Sequence, residues 1–343
     1  MSGKRYCILG GGGSFGINTA LYLLEHAHPA KVVGIGRAPL RPEPFSLGIE
    51  RRERYEYKAF HVGSELDLLL AYLDELRPGV IINFAAQGEG AASWKHSWRF
   101  FDTNATALCR LYEELSARQW FNMPIDVHGG RGRFIQIGTS ELYGSVDKPA
   151  TEDFPIKPSS PYSASKAAFD LYLMSMAQAG RGAPMTIIRP SNAYCPGQLL
   201  HRIIPRAIVA GLTGRKVPLH GGGQAKKSYL HIRDVARAVY LASEAPVAVG
   251  KVYNVGPMMP NSIADVARMC AKAIGVPFDD LFDVAPERLG QDSQYWLDSS
   301  AAARDLSWAP KIGWEDGLAE MVVWASRHIN QLRDWPTDYQ LRA

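Results

Sequence analysis

The chain has 343 residues, 46% of them hydrophobic and 21% charged, enough for one large domain or two intimate ones with a sizeable core. A net charge of +4 is mild, and the patch Arg51-Arg52-Glu53-Arg54 carries an acid and reads as a solvated face, so nucleic acid is not an expected partner. No apolar run reaches the ~18 residues of a membrane span. The first strand leaves no room before it for a signal peptide, so a cytoplasmic setting is expected. Cys7, Cys109, Cys195 and Cys270 are far apart, without metal-ligand spacing, and read as reduced thiols.

In chain order, Tyr6 to Leu9 predicts a short buried strand. Gly10, Gly13 and Gly16 follow at intervals of three, with Ser14 and Phe15 between them, and a helix begins there with apolar residues at Ile17, Ala20, Leu21 and Leu24. Strand, glycine turn and helix together make a pyrophosphate cradle from backbone N–H groups, which points to a dinucleotide. Lys31 to Ile35 is the second strand. At its tip, where NAD-preferring folds place a carboxylate, stand Gly36 and Arg37. A guanidinium there suits a 2′-phosphate, which favours NADP+ over NAD+ without closing the second option.

Residues 38–58, rich in Pro and Arg, read as a loop. Leu66 to Leu76 predicts an amphipathic helix closed by Pro78-Gly79. Val80 to Ala86 predicts a strand running into Ala85 and Ala86, small enough for a cofactor to lie close. Gln87 to Lys95 is a loop facing substrate, with Glu89, Ser93 and Trp94. Phe100 to Leu115 is a helix carrying Asn104, and residues 121–132 form a loop. Arg133 to Ile137 is a buried strand with Thr139-Ser140-Glu141 at its C-terminal tip.

Tyr162 opens an Ala- and Leu-rich helix, and Lys166, four residues on, shares its face. A free phenol has a pKa near ~10. An ammonium roughly 5 Å away, at an effective dielectric of about 20, favours phenolate by about 3 kcal/mol. Tyr162 is then expected to take a proton from a substrate hydroxyl held by Thr139. Met185 to Arg189 is the next strand. From Leu199 the pattern changes: a helix from Ile203, a turn at Gly221 to Gly223, a helix opened by His231 to Asp234, and a strand at Lys251 to Val255. Alternating strands and helices predict a parallel sheet with right-handed crossovers.

Together these residues resemble the extended short-chain dehydrogenase/reductase family, and within it the nucleotide-sugar-modifying enzymes. The resemblance rests on Gly10-x-x-Gly13-x-x-Gly16, Asn83-Phe84-Ala85-Ala86, Thr139 to Gly144, Tyr162-x-x-x-Lys166, Arg189-Pro190-Ser191-Asn192-x-Tyr194 and Arg288-Leu289-Gly290-x-Asp292. It implies an α/β fold: a Rossmann-type doubly wound parallel sheet (residues 1–190, with 229–260 returning to it) and a smaller mixed α/β substrate domain (191–228 and 261–343). It implies catalytic roles for Thr139, Ser140, Glu141, Tyr162 and Lys166. Cofactor contacts are implied for Gly10, Gly13, Ser14, Phe15, Gly16, Arg37, Ala85, Ala86, Asn104, Tyr162 and Lys166. Sugar-nucleotide contacts are implied for Gln87, Asn192, Arg202, Lys227, Arg288 and Asp292. No metal is expected, and a homodimer through the helices near 100–115 and 163–178 is.

Glu141 separates the reactions of this group. The 4,6-dehydratases carry glutamate there as the base for the C5 proton, whereas epimerases generally carry a small or hydroxyl residue. Thr139 to Gly144 is similar to GDP-mannose 4,6-dehydratases, and Arg288 to Asp298 to dTDP-glucose 4,6-dehydratases. Ser140 stands where the dTDP-glucose enzymes have an aspartic acid for the departing C6 hydroxyl. The expected reaction is C4 oxidation, loss of water across C5 and C6, and return of the hydride to C6. A C4 epimerase, a UDP-glucuronate-type decarboxylase and a non-catalytic NADP-sensing protein are the alternatives.

Overall fold

The computed structural model describes residues 4–28, 30–122, 132–287 and 292–341. Its centre is a seven-stranded parallel sheet. The strands are β1 (Arg5–Leu9), β2 (Lys31–Gly36), β3 (Tyr55–Ala59), β4 (Val80–Asn83), β5 (Arg133–Ile137), β6 (Met185–Pro190) and β7 (Val252–Val255). They lie in the order β7-β6-β5-β4-β1-β2-β3. The chain starts mid-sheet at β1, builds outward to β3, then crosses back to β4. A crevice opens at the strand tips where the winding reverses, between β1 and β4.

The interior strands are runs of Val, Ile and Leu because both their faces are covered. One face packs Ile8, Val32, Ile82, Ile135 and Ile188 against the helices Ser14–His26 and Ile232–Glu244. The other packs Cys7, Val33, Ile81, Phe134 and Ile187 against Leu66–Leu76 and Pro161–Gln178. A further core, with Ile204, Ile208, Val266, Cys270, Met321 and Trp324, joins the helices Ile203–Leu212, Ile263–Ile274 and Trp314–Arg327. Small parallel pairs flank it: Asn192–Tyr194 with Tyr229–His231, and Val217–His220 with Phe282–Ala285. All four cysteines are free thiols.

Three expectations need correction. The stretch 38–58 is not all loop: Tyr55–Ala59 is the edge strand β3, and Ile49–Arg51 is a helical turn. An edge strand buries little, so its alternating aromatic and charged residues lack the apolar run that marks the inner strands. β4 ends at Asn83, not Ala86. There the Asn83 side chain accepts from the Ala85 N–H (3.1 Å) and donates to Gln136 Oε1 (2.7 Å), turning the chain out of the sheet. The helix expected from Phe100 to Leu115 runs from Ser97–Phe101 through a π-helical turn, Asp102–Thr106, into Ala107–Ala117. That wide turn contains Asn104, which is fully buried.

Behind the strand tips lies a buried ion pair. Arg189 Nε is 3.1 Å from Asp170 Oδ2, and both side chains are 0% exposed. Arg189 also donates to the Tyr143 hydroxyl (2.8 Å), which donates to Asn254 Oδ1 (2.9 Å). Removing one member of such a pair strands the other charge in the interior. Arg189→Met should lower the unfolding free energy by about 3–5 kcal/mol, read as a reduced midpoint in urea. An unchanged midpoint would show that the pair contributes nothing.

Candidate active site

The crevice begins at the glycine turn. Gly10 has φ +79°, and a Cβ there would lie 2.7 Å from the Ala85 nitrogen; one at Gly16 would lie 2.5 Å from the Gly10 carbonyl oxygen. These two glycines are therefore fixed by close backbone approach. Gly13 is different: a Cβ there meets only the Gly10 oxygen at 3.3 Å. It caps the helix Ser14–His26 without a side-chain hydrogen bond, which leaves the N–H groups of the first turn available to an anion. Gly10, Gly13, Arg37, Ala85 and Ala86 line one cavity of about 210 Å³, together with Arg41, Tyr57 and His61. This cradle fits the pyrophosphate and adenosine of a dinucleotide. Gly36 has a packing cause too, since a Cβ there would lie 2.3 Å from the Tyr57 hydroxyl.

A second cavity, about 230 Å³, continues from Phe84 and Ala86 to the tip of β5 and is lined by Phe15, Thr139, Ser140, Glu141, Tyr162 and Lys166. The helix Pro161–Gln178 delivers two of these. Pro161 is its first residue, and Ser160 caps it through a reciprocal bond with Ser163. Thr139 caps the turn Ser140–Tyr143, its hydroxyl accepting from the Glu141 N–H at 3.2 Å, and it also bonds the Tyr162 phenol.

The electrostatics differ from the sequence-based expectation. Lys166 is buried and donates to the Ile137 carbonyl at 2.6 Å. Burial pulls its ammonium down to about 8 from 10.5. The Tyr162 phenol is not lowered: burial, and then the negative charge of Glu141, push it up, against the pull of Arg202 and the Thr139 hydrogen bond. Glu141 is raised mainly by burial, against the cations Lys227 and Arg202.

The third cavity, about 200 Å³, shares Glu141, Asn192 and Arg202 with the second and adds Glu89, His201, His220, Lys227 and Asp292. Lys227 Nζ lies 5.2 Å from the centre of the Tyr295 ring, and Asn192 and Tyr295 are hydrogen-bonded at 2.8 Å. Asp292 accepts from Ser159 (2.8 Å) and Ser145 (3.3 Å), and burial raises its carboxyl. Three cavities thus adjoin in a row, with Tyr162 and Glu141 in the middle one.

Some expected contacts are placed elsewhere. The Asn104 amide is spent inside the chain: Oδ1 accepts from the Gln87 N–H (2.8 Å), and Nδ2 donates to the Gln87 carbonyl (3.1 Å) and to Ser165 Oγ (3.0 Å). It braces the site instead of facing the cofactor cavity. Gln87 is buried, its Oε1 accepting from the Tyr339 hydroxyl at 3.0 Å, and it lines none of the three cavities. The Ser14 carbonyl accepts from Asn18 and its hydroxyl bonds Cys195. Ser93 turns to the Gly90 carbonyl (2.6 Å), and Trp94 is exposed. Arg288 lies outside the described residues.

His201 lines the third cavity and was not foreseen, whereas Arg202 and Glu89 beside it were. Arg202 Nη1 is 3.7 Å from Glu89 Oε2, and His201, which burial holds down at about 4, is 4.0 Å from the same oxygen. His201 belongs to no spacing motif and meets the site only through the fold, as does Tyr295, buried behind Asn192 and Lys227. Among the described residues, no group of His, Cys, Asp and Glu is gathered as for a metal ion.

Comparison with known proteins agrees with this geometry. The model of the NAD dependent epimerase/dehydratase family matches residues 6–256. The dTDP-glucose 4,6-dehydratase of Neisseria meningitidis serogroup B is 30% identical over 337 residues, covering 94% of this chain and 93% of that one. The dTDP-glucose 4,6-dehydratase of Bacillus anthracis, solved in complex with NAD, has a TM-score of 0.81 at 26% identity, over 95% of this chain and 98% of that one. The UDP-glucose 4-epimerase of Thermotoga maritima, with a TM-score of 0.82 at 23% identity over 95% and 99%, shares the fold. The family model's match over residues 6–256 and a relative 30% identical over 94% of the chain decide the family: the chain belongs to the NAD dependent epimerase/dehydratases.

Proposed function

We propose that this chain is a nucleotide-sugar 4,6-dehydratase, converting a nucleoside-diphosphate hexose into the 4-keto-6-deoxy sugar nucleotide and water. The observation that carries the reading is Glu141, a carboxylate lining one cavity with Tyr162, Thr139 and Lys166 in a chain whose relatives include dTDP-glucose 4,6-dehydratases. Gly10, Gly13 and the first turn of the helix Ser14–His26 would hold the dinucleotide. A nicotinamide bound there would supply a hydride acceptor for C4 and a hydride donor for C6.

Each of the chain's own residues then has one task. Thr139 orients the 4-hydroxyl, and Tyr162 takes its proton. In the chain alone burial and Glu141 hold Tyr162 protonated against the pull of Arg202 and the Thr139 hydrogen bond; the positive charge of an oxidised nicotinamide bound beside it would add to that pull and favour phenolate. The 4-ketone acidifies C5–H, and Glu141, its affinity for a proton raised by burial, removes that proton. The C6–O bond breaks with the electron pair leaving on oxygen; the proton that completes water is the one Tyr162 took from the 4-hydroxyl, a relay we assign to the Ser140 hydroxyl on the same cavity wall, and Glu141 returns its proton to C5 as C6 is reduced. Arg202, Lys227 and Asn192 are assigned to the nucleotide diphosphate and sugar, supported by their lining the adjoining cavity.

Three finer readings accompany this one. Arg37 and Arg41 in the adenosine cavity support NADP+, although the solved relative from Bacillus anthracis holds NAD. β7 pairs with β6, which supports returning residues 229–260 to the cofactor-binding part, and the separate core around Val266 and Trp324 supports a distinct substrate part. A homodimer is supported by Trp98, Phe101 and Leu171, exposed on two helices that pack together.

Glu141→Gln should still reduce the cofactor with substrate while slowing water loss by at least about 100-fold, seen as a build-up of reduced-nicotinamide absorbance without the dehydrated mass. Normal dehydration by that variant would remove the assignment. The nicotinamide released from the purified protein should be NADP+, and Arg37→Ala should lose it at least about tenfold faster; release of NAD+ alone would overturn that preference.

Burial of Lys166 also predicts a stability effect. Because its folded pKa, about 8, lies below its ordinary 10.5, its charge opposes folding below pH 8, and the penalty fades as the pH rises toward 10.5. Lys166→Met should therefore be more stable than the parent at pH 7, by about 3 kcal/mol at most, with the gap closed above pH 10.5. A variant less stable at pH 7 would contradict this.

A further inference from the structure

The segment after the helical turn Ile329–Leu332 has no regular structure, yet it is pinned beside the cleft. The Trp335 ring packs on Phe45 with centroids 4.3 Å apart, and Tyr339 meets His201 edge-on at 5.2 Å. The Tyr339 hydroxyl donates to Gln87 Oε1 at 3.0 Å and accepts from the Gly88 N–H at 3.4 Å. The next link is Gly88 itself, whose carbonyl accepts from Arg202 Nη2. On its other side the turn is fixed through Asn104 to Ser165, the neighbour of Lys166.

We infer that Tyr339 is a positioning residue for Arg202: its hydroxyl sets the Gln87–Gly88 turn, and the Gly88 carbonyl sets the direction of the guanidinium that meets the substrate diphosphate. Arg202 needs such a guide. Among the described residues its one carboxylate contact within ion-pair range, Glu89, is 3.7 Å away and is shared with His201, so charge attraction alone leaves its orientation loose. A carbonyl held from both sides gives the planar guanidinium a fixed donor direction. Nothing in the local sequence around Tyr339 signals this part, because the residues it holds lie about 250 positions earlier.

The inference rests on Arg202 being a substrate residue, and the test separates the two ideas. Calorimetry would measure binding of UDP, dTDP, GDP and CDP to the cofactor-loaded parent, to Tyr339→Phe, to Arg202→Ala and to the double variant. Tyr339→Phe should weaken the best-bound nucleotide about fivefold, what one neutral hydrogen bond is worth, and raise KM by a similar factor with kcat within about twofold of the parent. In the Arg202→Ala background the same change should cost less than about 1.5-fold, because the two act through one contact. Equal weakening in both backgrounds, or none in either, would overturn the positioning role while leaving Arg202 as a substrate residue. A parent that binds none of the four nucleotides would remove the sugar-nucleotide reading, and this role with it.

Discussion

The carbonyl oxygen of Ile137 is the point on which the site depends. It closes strand β5, and it accepts from Lys166 Nζ at 2.6 Å and from Gln136 Nε2 at 3.1 Å. A buried ammonium needs such a partner, or it would give up its proton or drag water into the core. By anchoring Lys166, this one oxygen fixes the rotation of the helix Pro161–Gln178 and hence the direction of Tyr162 one turn before. The sheet thereby positions the helix, the helix positions the phenol, and the same strand tip carries Thr139 and Glu141 alongside.

From that point the polar interior branches in two directions. One branch runs through Gln136 and Asn83 to Ala85, at the wall of the cofactor cavity. The other runs through Ser165 and Asn104 to Gln87 and Gly88, and so to Arg202 on the substrate side. Both are built from neutral amides and hydroxyls. Buried networks of this kind, when satisfied, hold one geometry without the desolvation cost of further charges. These enclosed charges either line the middle cavity, as Lys166 and Glu141 do, or pair off, as Arg189 does with Asp170.

Much of this was readable beforehand where local periodicity is strong. The bounds of Leu66–Leu76 and Arg133–Ile137 coincide with the expected ones, because apolar stripes and β-branched runs are unmistakable. β3 escaped notice since an edge strand needs no continuous apolar run. The gathering of Thr139, Glu141, Tyr162 and Lys166 in one cavity was legible from a strand tip followed by a four-residue helical spacing. The state of the phenol was not. Spacing puts the ammonium on the same helix face, but only the folded interior shows that it turns to the Ile137 carbonyl and that burial and Glu141 raise the phenol against the pull of Arg202. Asn104 was mistaken for a cofactor contact for a related reason: a sequence cannot show that a π-helical turn directs an amide inward, where three hydrogen bonds consume it. His201 and Tyr339 were invisible because their partners are more than 100 positions away.

In the proposed reaction the hydride taken from C4 is returned within the same molecule while Glu141 exchanges the C5 proton. Its most direct test is turnover of a sugar nucleotide carrying deuterium at C4, followed by mass and NMR analysis of the 4-keto product. The deuterium should appear at C6 of the same sugar, and turnover in heavy water should add solvent deuterium at C5. Deuterium that remains at C4, or that is lost to solvent or to free cofactor, would contradict it.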